Sequence, residues 1–402
     1  MKTTVRNNDN EVIISLAGRL DTSVSAETNI EINRELEKRE PIGRLTCDAS
    51  QLEYISSSGL RILLSLAKRY KDFRVINVIP QVYGVLETTG FTKIMTVERA
   101  LRRLSIEGCQ LIGIGGVGEV YRLDGDTIIK VFRPGTTMEE VCREITMSKE
   151  AFVLGMPTAI SFDVVTVQSK EGEECFGLVY ELLKAETLSS MVKHHPEQVD
   201  YYARQYAGLF RQMHDIEVPK DGNVPSAIER ERQQVKYIAR YFPQQSVDML
   251  LNIVDSIPEG NRLLHLDLQT KNAMVQGDEM MLIDMGEVGY GHPMLDLGHA
   301  YSSMVSFVGD YEHTIGMSRE LGLRMWNLAI DYYFEGLPAD VVALRKKQIE
   351  VVSCVRNFSW LSLSDSFPEA VVKECQALFN ERVASRYDYI MDVCKTLDNW
   401  TL

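Results

Sequence analysis

The sequence predicts two kinds of fold in one chain: a small α/β domain with a mixed sheet and helices, then an α+β part that turns largely helical toward its end. Three observations carry this. Strand and helix patterns alternate up to about residue 104, strand-type runs around a glycine-rich turn begin near residue 110, and long helical patterns dominate after residue 195. Alternation of the first kind argues for a sheet covered by helices.

In the first part, "EVIISLAG" and "GRLTCDAS" read as strands, rich in Val, Ile, Leu and Thr and bounded by Gly, Asp and Ser. Between them "TSVSAETNIEINRELEKRE" reads as an amphipathic helix with closing basic residues. "SSGLRILLSLAKRYKD" is a second helix, with apolar residues at 60, 63, 64 and 66. "FRVINV" is a strand, and Pro80 opens a third helix at its first turn. In the second part, residues 110–132 read as a hairpin with a glycine-rich turn, Thr137–Leu154 as a helix and "CFGLVYELL" as a buried strand. The helical patterns then run on to Leu402.

The 402 residues, 45% hydrophobic and 25% charged, suit a protein that buries a real core. No apolar run approaches the ~20 residues of a membrane span, and the start, "MKTTVRNNDNEV", lacks the apolar core of a signal peptide. Seven scattered cysteines without a CxxC pair argue against a disulfide framework and a zinc site, and for a reducing cytosol. The net charge of −14 is unevenly spread. Residues 1–105 hold 13 acids and 16 bases, about +3, leaving 44 acids and 27 bases, about −17, for the rest. That acidic part is a poor partner for nucleic acid. It would suit a cationic substrate or attract the first part, although ordinary surface charge gives the same balance.

"LIGIGGVGEVYRL" carries Gly113, Gly115, Gly116 and Gly118, then Val120. A β-type run follows, where a Rossmann fingerprint needs a helix. A glycine turn between two strands can fold over phosphates with its N–H groups facing the oxygens. Twelve residues after Gly118, Lys130 sits mid-strand in "TIIKVF". Its ammonium needs a partner among those apolar neighbours unless it lies at an edge facing water. The following helix offers Glu140, Glu144 and Glu150, of which Glu144 is favoured and Glu150 second. Further on, "HLDLQTKN" holds Asp267, which can accept or orient a hydroxyl proton. Asn272 and Asp284 offer hard oxygens for magnesium, and Gly286 lets the chain turn away from the metal. His265 reads as a structural residue of the loop. The other histidines show no ligand spacing, and Trp326, Tyr332, Tyr333 and Trp360 recur at helical spacing, as core residues do.

The order of glycine loop, Lys130, Glu144, HxDxxxxN and IDxG resembles the protein-kinase-like superfamily. "HLDLQTKN" and "LIDMGEV" are similar to its aminoglycoside and choline phosphotransferase branch, with Asp-x-Gly in place of Asp-Phe-Gly. The resemblance implies a two-lobed fold with ATP between an N-lobe at 106–185 and a helical C-lobe at 186–402. It implies that Gly113, Gly115, Gly116 and Gly118 cover the phosphates, with Val120 beside the nucleotide. Lys130 would bind the α- and β-phosphates, supported by Glu144, and Asp267 would act as base. Asn272 and Asp284 would bind Mg2+. "VYELLKAETL" resembles the hinge, where the backbones of Glu181 and Leu183 would meet adenine, and Asp296 in "GHPMLDLGHA" would brace the catalytic loop. The absence of an APE-terminated activation segment favours a small-molecule hydroxyl acceptor.

Residues 1–105, through "GRLDTSVSAE" and "LTCDASQLEYISSSGLRILLSL", resemble a STAS domain, the fold of anti-sigma factor antagonists. That family reads Asp-Ser-Ser-Gly at its second helix, and the first serine is the phosphorylation site. Here Ser56 stands in the Asp position, so Ser57 is the matching serine, or else simply the helix N-cap. The STAS resemblance implies a regulatory protein partner. Two further functions stay open: a signalling kinase phosphorylating a serine of its own or a partner's STAS domain, and a nucleotide-sensing module without catalysis.

Overall fold

The computed structural model describes residues 1–8, 11–169, 172–219, 222–364 and 366–398. The last four positions, into which the helical reading extended, lie outside them. The chain divides into two compact units, Met1–Ser105 with Val164–Gln168, and Ile106–Asp163 with Ser169–Leu402.

In the first unit β1 (Lys2–Asn8), β2 (Glu11–Leu20), β3 (Arg44–Ile55), β4 (Phe73–Val78) and β5 (Thr96–Arg99) form one sheet in that order. β1 is antiparallel to β2 and the rest are parallel. Parallel neighbours need crossovers, supplied by α1 (Thr22–Glu37), α2 (Ser57–Arg69) and α3 (Pro80–Thr88). The core is aliphatic: Ile14, Leu16, Leu20, Leu36, Leu45 and Val78 are buried. β1 was not legible in the sequence, because the edge strand KTTVRNN has no regular apolar alternation. On α2 the buried set is Leu60, Ile62, Leu63 and Leu66, with Leu64 only half-buried. Gly59 lets this helix approach the sheet, since a Cβ there would stand 2.8 Å from Leu20 and Ile55 side-chain atoms. The N-cap of α2 is Ser56 rather than Ser57: its hydroxyl accepts the Gly59 N–H and donates to Leu20 O. Ser57 is left exposed on the first turn. A short strand β6 (Arg102–Leu104) closes this segment.

The second unit opens with β7 (Gln110–Ile114), β8 (Gly118–Arg122) and β9 (Thr127–Phe132), antiparallel in sequence. The expected hairpin over 110–132 is therefore a three-stranded meander. Its second turn is made by Asp124, whose carboxylate accepts the N–H groups of Asp126 and Thr127 at 2.8 Å each. α4 (Met138–Val153) starts with a reciprocal cap between Thr137 and Glu140. β10 (Asp163–Gln168), whose residues 164–168 belong to the first unit, pairs in parallel with β6, and in the second unit β11 (Glu174–Glu181) pairs antiparallel with β9.

β12 (Glu186–Thr187), α5 (Leu188–His194), α6 (Val199–Asp215), α7 (Ala227–Tyr237) and α8 (Gln244–Asp255) follow. Short strands then frame a loop: β13 (Arg262–Leu264), β14 (Ala273–Gln276), β15 (Glu279–Leu282) and β16 (Gly289–Gly291). β12, β14 and β15 form one small sheet, β13 and β16 another. The chain continues helically through α9 (Pro293–Tyr301), α10 (Tyr311–Ile315), α11 (Arg319–Tyr333), α12 (Ala339–Ser359), α13 (Glu369–Arg382) and α14 (Tyr387–Cys394). One core surrounds α6, α9 and α11, with Tyr206, Phe210, Leu297 and Tyr333. Another surrounds α8, α12 and α13, with Ile253, Phe358 and Phe379. Trp326 and Tyr333 are core residues, whereas Tyr332 reaches Asp200 at the surface. No helix among the described residues is long and apolar enough to cross a membrane.

Candidate active site

Strand register builds the first half of the site. Gly113 pairs with Val120, Val120 with Lys130, and Lys130 with Leu178, so one row crosses four strands. Directly paired residues present side chains on the same face, which puts Val120 and Lys130 together. Lys130 is not an edge lysine: its Nζ lies 2.8 Å from both Glu144 oxygens and 2.9 Å from Asp284 Oδ1. Tyr180, two residues beyond Leu178 on the same face, donates its hydroxyl to Glu144 Oε1 at 2.9 Å. Burial works to lower the Lys130 pKa, but the charges of Asp284 and Glu144 outweigh it and hold the amine protonated above its ordinary range. Glu150, the second choice of partner, instead accepts from Asn223.

The glycines of the hairpin divide in two. At Gly118 an added Cβ would stand 2.2 Å from Val131 O, so close strand approach alone requires glycine there. Gly113 and Gly115 have ordinary room, and Gly116 has nothing within 4 Å. The turn closes with Gly115 N–H donating to Gly118 O at 2.8 Å. At the end of β11, Leu182 N–H donates to Asp126 O at 2.7 Å. In a trans peptide the Glu181 carbonyl then points the opposite way, off the β9 edge. Leu183 follows, half-buried.

The second half is the loop after β13. Asp296, fully buried on α9, accepts from His265 N at 3.0 Å and Leu266 N at 2.8 Å, and contacts His214 Nε2 at 3.1 Å. Burial would raise its pKa, but these donors hold the carboxyl below its usual range. Leu266 has φ +63°, a left-handed conformation unusual for a bulky residue. Its carbonyl is held by His299 Nδ1 at 2.7 Å, and His299 Nε2 lies 2.9 Å from Glu231. A carbonyl only accepts, so Nδ1 carries a proton and Glu231 shares the one at Nε2. His265 donates from Nε2 to Ile283 O at 3.2 Å and accepts Asp267 N–H at Nδ1, a structural role. Asn272 Nδ2 donates to Asp267 O at 2.8 Å and to its Oδ2 at 2.9 Å. The Asp267 pKa is raised: burial dominates, and Arg356 pulls the other way.

Asp284 itself carries the turn after β15, with φ +60°, where Gly286 was expected to provide it. Asp tolerates this region because its short polar side chain suits local hydrogen bonding. The structure thus joins Lys130, Glu144 and Asp284 in direct contact, and Asp267 with Asn272. The charge of Asp284 also acts on Asp267. Ser57 belongs to the other unit. Tyr180, Glu231, His299 and Arg356 were not assigned to the site from the sequence. The partners of Tyr180, Glu231 and His299 lie dozens of residues away, and no local pattern marks them.

A glycine hairpin, a lysine held by two carboxylates, an Asp–Asn loop and a strand-end aspartate thus belong to one unit. Residues 109–320 match the phosphotransferase enzyme family, and the chain belongs to it. Residues 2–103 match the STAS domain. A Bordetella bronchiseptica protein named as an anti-sigma factor antagonist, BtrV, is 31% identical over 101 residues, 24% of this chain and 85% of that protein. Among solved structures, ADP-bound aminoglycoside phosphotransferase APH(2'')-Ib is similar at 13% identity and TM-score 0.45, covering 67% of this chain and 91% of that one. A choline/ethanolamine kinase family protein from Mesorhizobium loti is similar at 14% identity and TM-score 0.44, covering 72% and 92%.

Proposed function

We propose that the protein transfers the γ-phosphate of ATP to a hydroxyl of a small molecule, with its STAS domain as a regulatory module that meets a protein partner. The observation that carries this is the Lys130–Glu144–Asp284 cluster joined to the Asp267–Asn272 loop. Lys130 would meet the α- and β-phosphates beneath Gly113, Gly115, Gly116 and Gly118, with Val120 beside the nucleotide and the Glu181 and Leu183 backbones toward the base. A phosphate at Lys130 competes for the contact that Asp284 now makes, so nucleotide binding would release Asp284. The residues fit Mg2+: the Asn272 Oδ1 and the Asp284 carboxylate are hard oxygens on adjoining turns. When bound, Mg2+ would offset the charge of the phosphate oxygens.

Asp267, fixed by Asn272, would hold the acceptor hydroxyl in line. The hydroxyl oxygen bonds to the γ-phosphorus as the β–γ bridging P–O bond breaks. ADP leaves with that electron pair, and the hydroxyl proton passes to Asp267.

The test is calorimetric titration of ATP and GTP with and without Mg2+, followed by nucleotide consumption across a panel of amino-sugar, choline-like and sugar acceptors. Lys130→Met should abolish binding, and Asp267→Asn should keep binding and lose transfer. Binding that survives Lys130→Met unchanged would sink the assignment.

A second reading has one observation in its favour. Ser57 is exposed and free of capping duty, which Ser56 performs. Self-phosphorylation of Ser57 would appear as a mass increase in ATP and Mg2+ that Asp267→Asn abolishes.

A further inference from the structure

One helix reaches both turns of the site through two neighbouring residues. Glu231 of α7 is buried, and its carboxylate is held from two sides: His299 Nε2 of α9 lies 2.9 Å from Oε1, and the Ser359 hydroxyl of α12 donates to Oε2 at 3.3 Å. His299 passes that hold on, donating from Nδ1 to Leu266 O at 2.7 Å. The Leu266 carbonyl and the Asp267 N–H belong to one planar peptide. His299 grips its oxygen and His265 Nδ1 accepts its N–H, so the plane that precedes the Asp267 side chain is fixed at both ends.

Arg230, the residue before Glu231, serves the other turn. It donates to the Glu287 carbonyl and stands 3.6 Å from the Glu287 carboxylate, three residues after Asp284. The start of α7 is fastened to the strand beyond that turn, where Tyr290 N–H donates to Pro225 O at 2.8 Å.

Stability alone is a poor account of this arrangement. A buried ion pair is often no more stabilising than apolar side chains of the same volume. Leu266, at φ +63°, is a strained residue directly before Asp267, and such strain persists only where the surroundings over-determine it. The desolvated pair and the strained residue meet at the one peptide that aims Asp267.

We propose that Glu231 and His299 are positioning residues, which act through the Leu266 carbonyl to set the direction of the Asp267 carboxylate, while Arg230 on the same helix keeps the Asp284 turn in register with it. This rests on the reading of Asp267 as the base.

The experiment measures ADP formation by the full-length protein from ATP and Mg2+, with water alone and with each acceptor of the panel. Turnover is divided by the number of sites that a non-hydrolysable ATP analogue fills in calorimetry, so that unfolded molecules drop out. His299→Leu should lower turnover per site at least about tenfold, with KM for ATP unchanged because Lys130 and its partners are untouched. His299→Asn, whose amide can donate near the Nδ1 position, should recover much of the loss. Glu231→Gln keeps an acceptor for His299 in the same space, is the variant least at risk of unfolding, and should lose about threefold. A purely structural role would reduce the number of sites and leave turnover per site at the wild-type value. That result overturns the positioning role, as does a His299→Asn no better than His299→Leu. If His299→Leu fills no sites, Glu231→Gln decides, and wild-type turnover per site in it overturns the role. Wild-type protein that binds the analogue and forms no ADP in any reaction overturns the phosphotransferase reading beneath it.

Discussion

The two halves of the site are held by different physics. Around Lys130, charge meets charge directly, with one amine between two carboxylates and a tyrosine hydroxyl behind. Around Asp267 the side chain is aimed indirectly: Asp296 grips two successive N–H groups, His299 grips the next carbonyl, and Asn272 fixes the carboxylate. The first arrangement can exchange partners when a phosphate arrives. The second has nothing to exchange, because each buried backbone group has one partner in place. On the proposed reading the exchangeable half would admit a nucleotide and the fixed half would hold a hydroxyl still.

The largest effect should come from Asp296→Ala, which removes the grip. It strands two buried N–H groups and His214, and such losses cost about 3–5 kcal/mol. Urea unfolding should register most of that. A loss below about 1 kcal/mol would mean that the loop is held by Asn272 and His299 without it.

Glu144→Gln tests the other half and should cost less, about 1–3 kcal/mol. Gln keeps an acceptor for Tyr180, and Lys130 retains Asp284 at 2.9 Å. The same denaturation measurement checks it. A cost equal to that of Asp296→Ala would erase the distinction between exchangeable and fixed contacts.

That distinction also separates what the sequence discloses from what it hides. The Lys130 row is legible because strand pairing is local: Gly113, Val120 and Lys130 fall on consecutive strands of one meander, and their spacing follows from short turns. The Asp267–Asn272 pair is legible for the same reason, five residues apart in one loop. His299 holding Leu266, Glu231 holding His299, and Tyr180 holding Glu144 are not, since apolar periodicity reports a buried face and never a buried polar partner. Identity of type also misleads where geometry decides. Ser56 takes the cap that Ser57 was allowed, Asp284 takes the left-handed turn assigned to Gly286, and Gly118 is required by Val131 O before any phosphate is considered.

The smallest effect has the opposite sign. Burial raises the Asp267 pKa above its ordinary value, so the folded state prefers the protonated carboxyl. Its ionised form therefore works against folding: that cost is absent well below the ordinary carboxylate range, grows as pH rises through the raised pKa, and is complete above it. Asp267→Asn has nearly the same shape and can still accept from Asn272 Nδ2, but it never ionises. The variant should be more stable than wild type at neutral pH, by about 0.5–2 kcal/mol, and the gain should vanish toward acid pH. Urea midpoints at a series of pH values would check this, and a variant less stable at neutral pH would mean that the ionised carboxylate is satisfied by Asn272 and Arg356. Turnover should follow the same group in the other direction, falling as pH drops through the raised pKa, because only the ionised carboxylate can accept the hydroxyl proton. Stability is thus expected to be given up at the loop that would aim the proposed base, and none at the Lys130 cluster, where the charges meet one another.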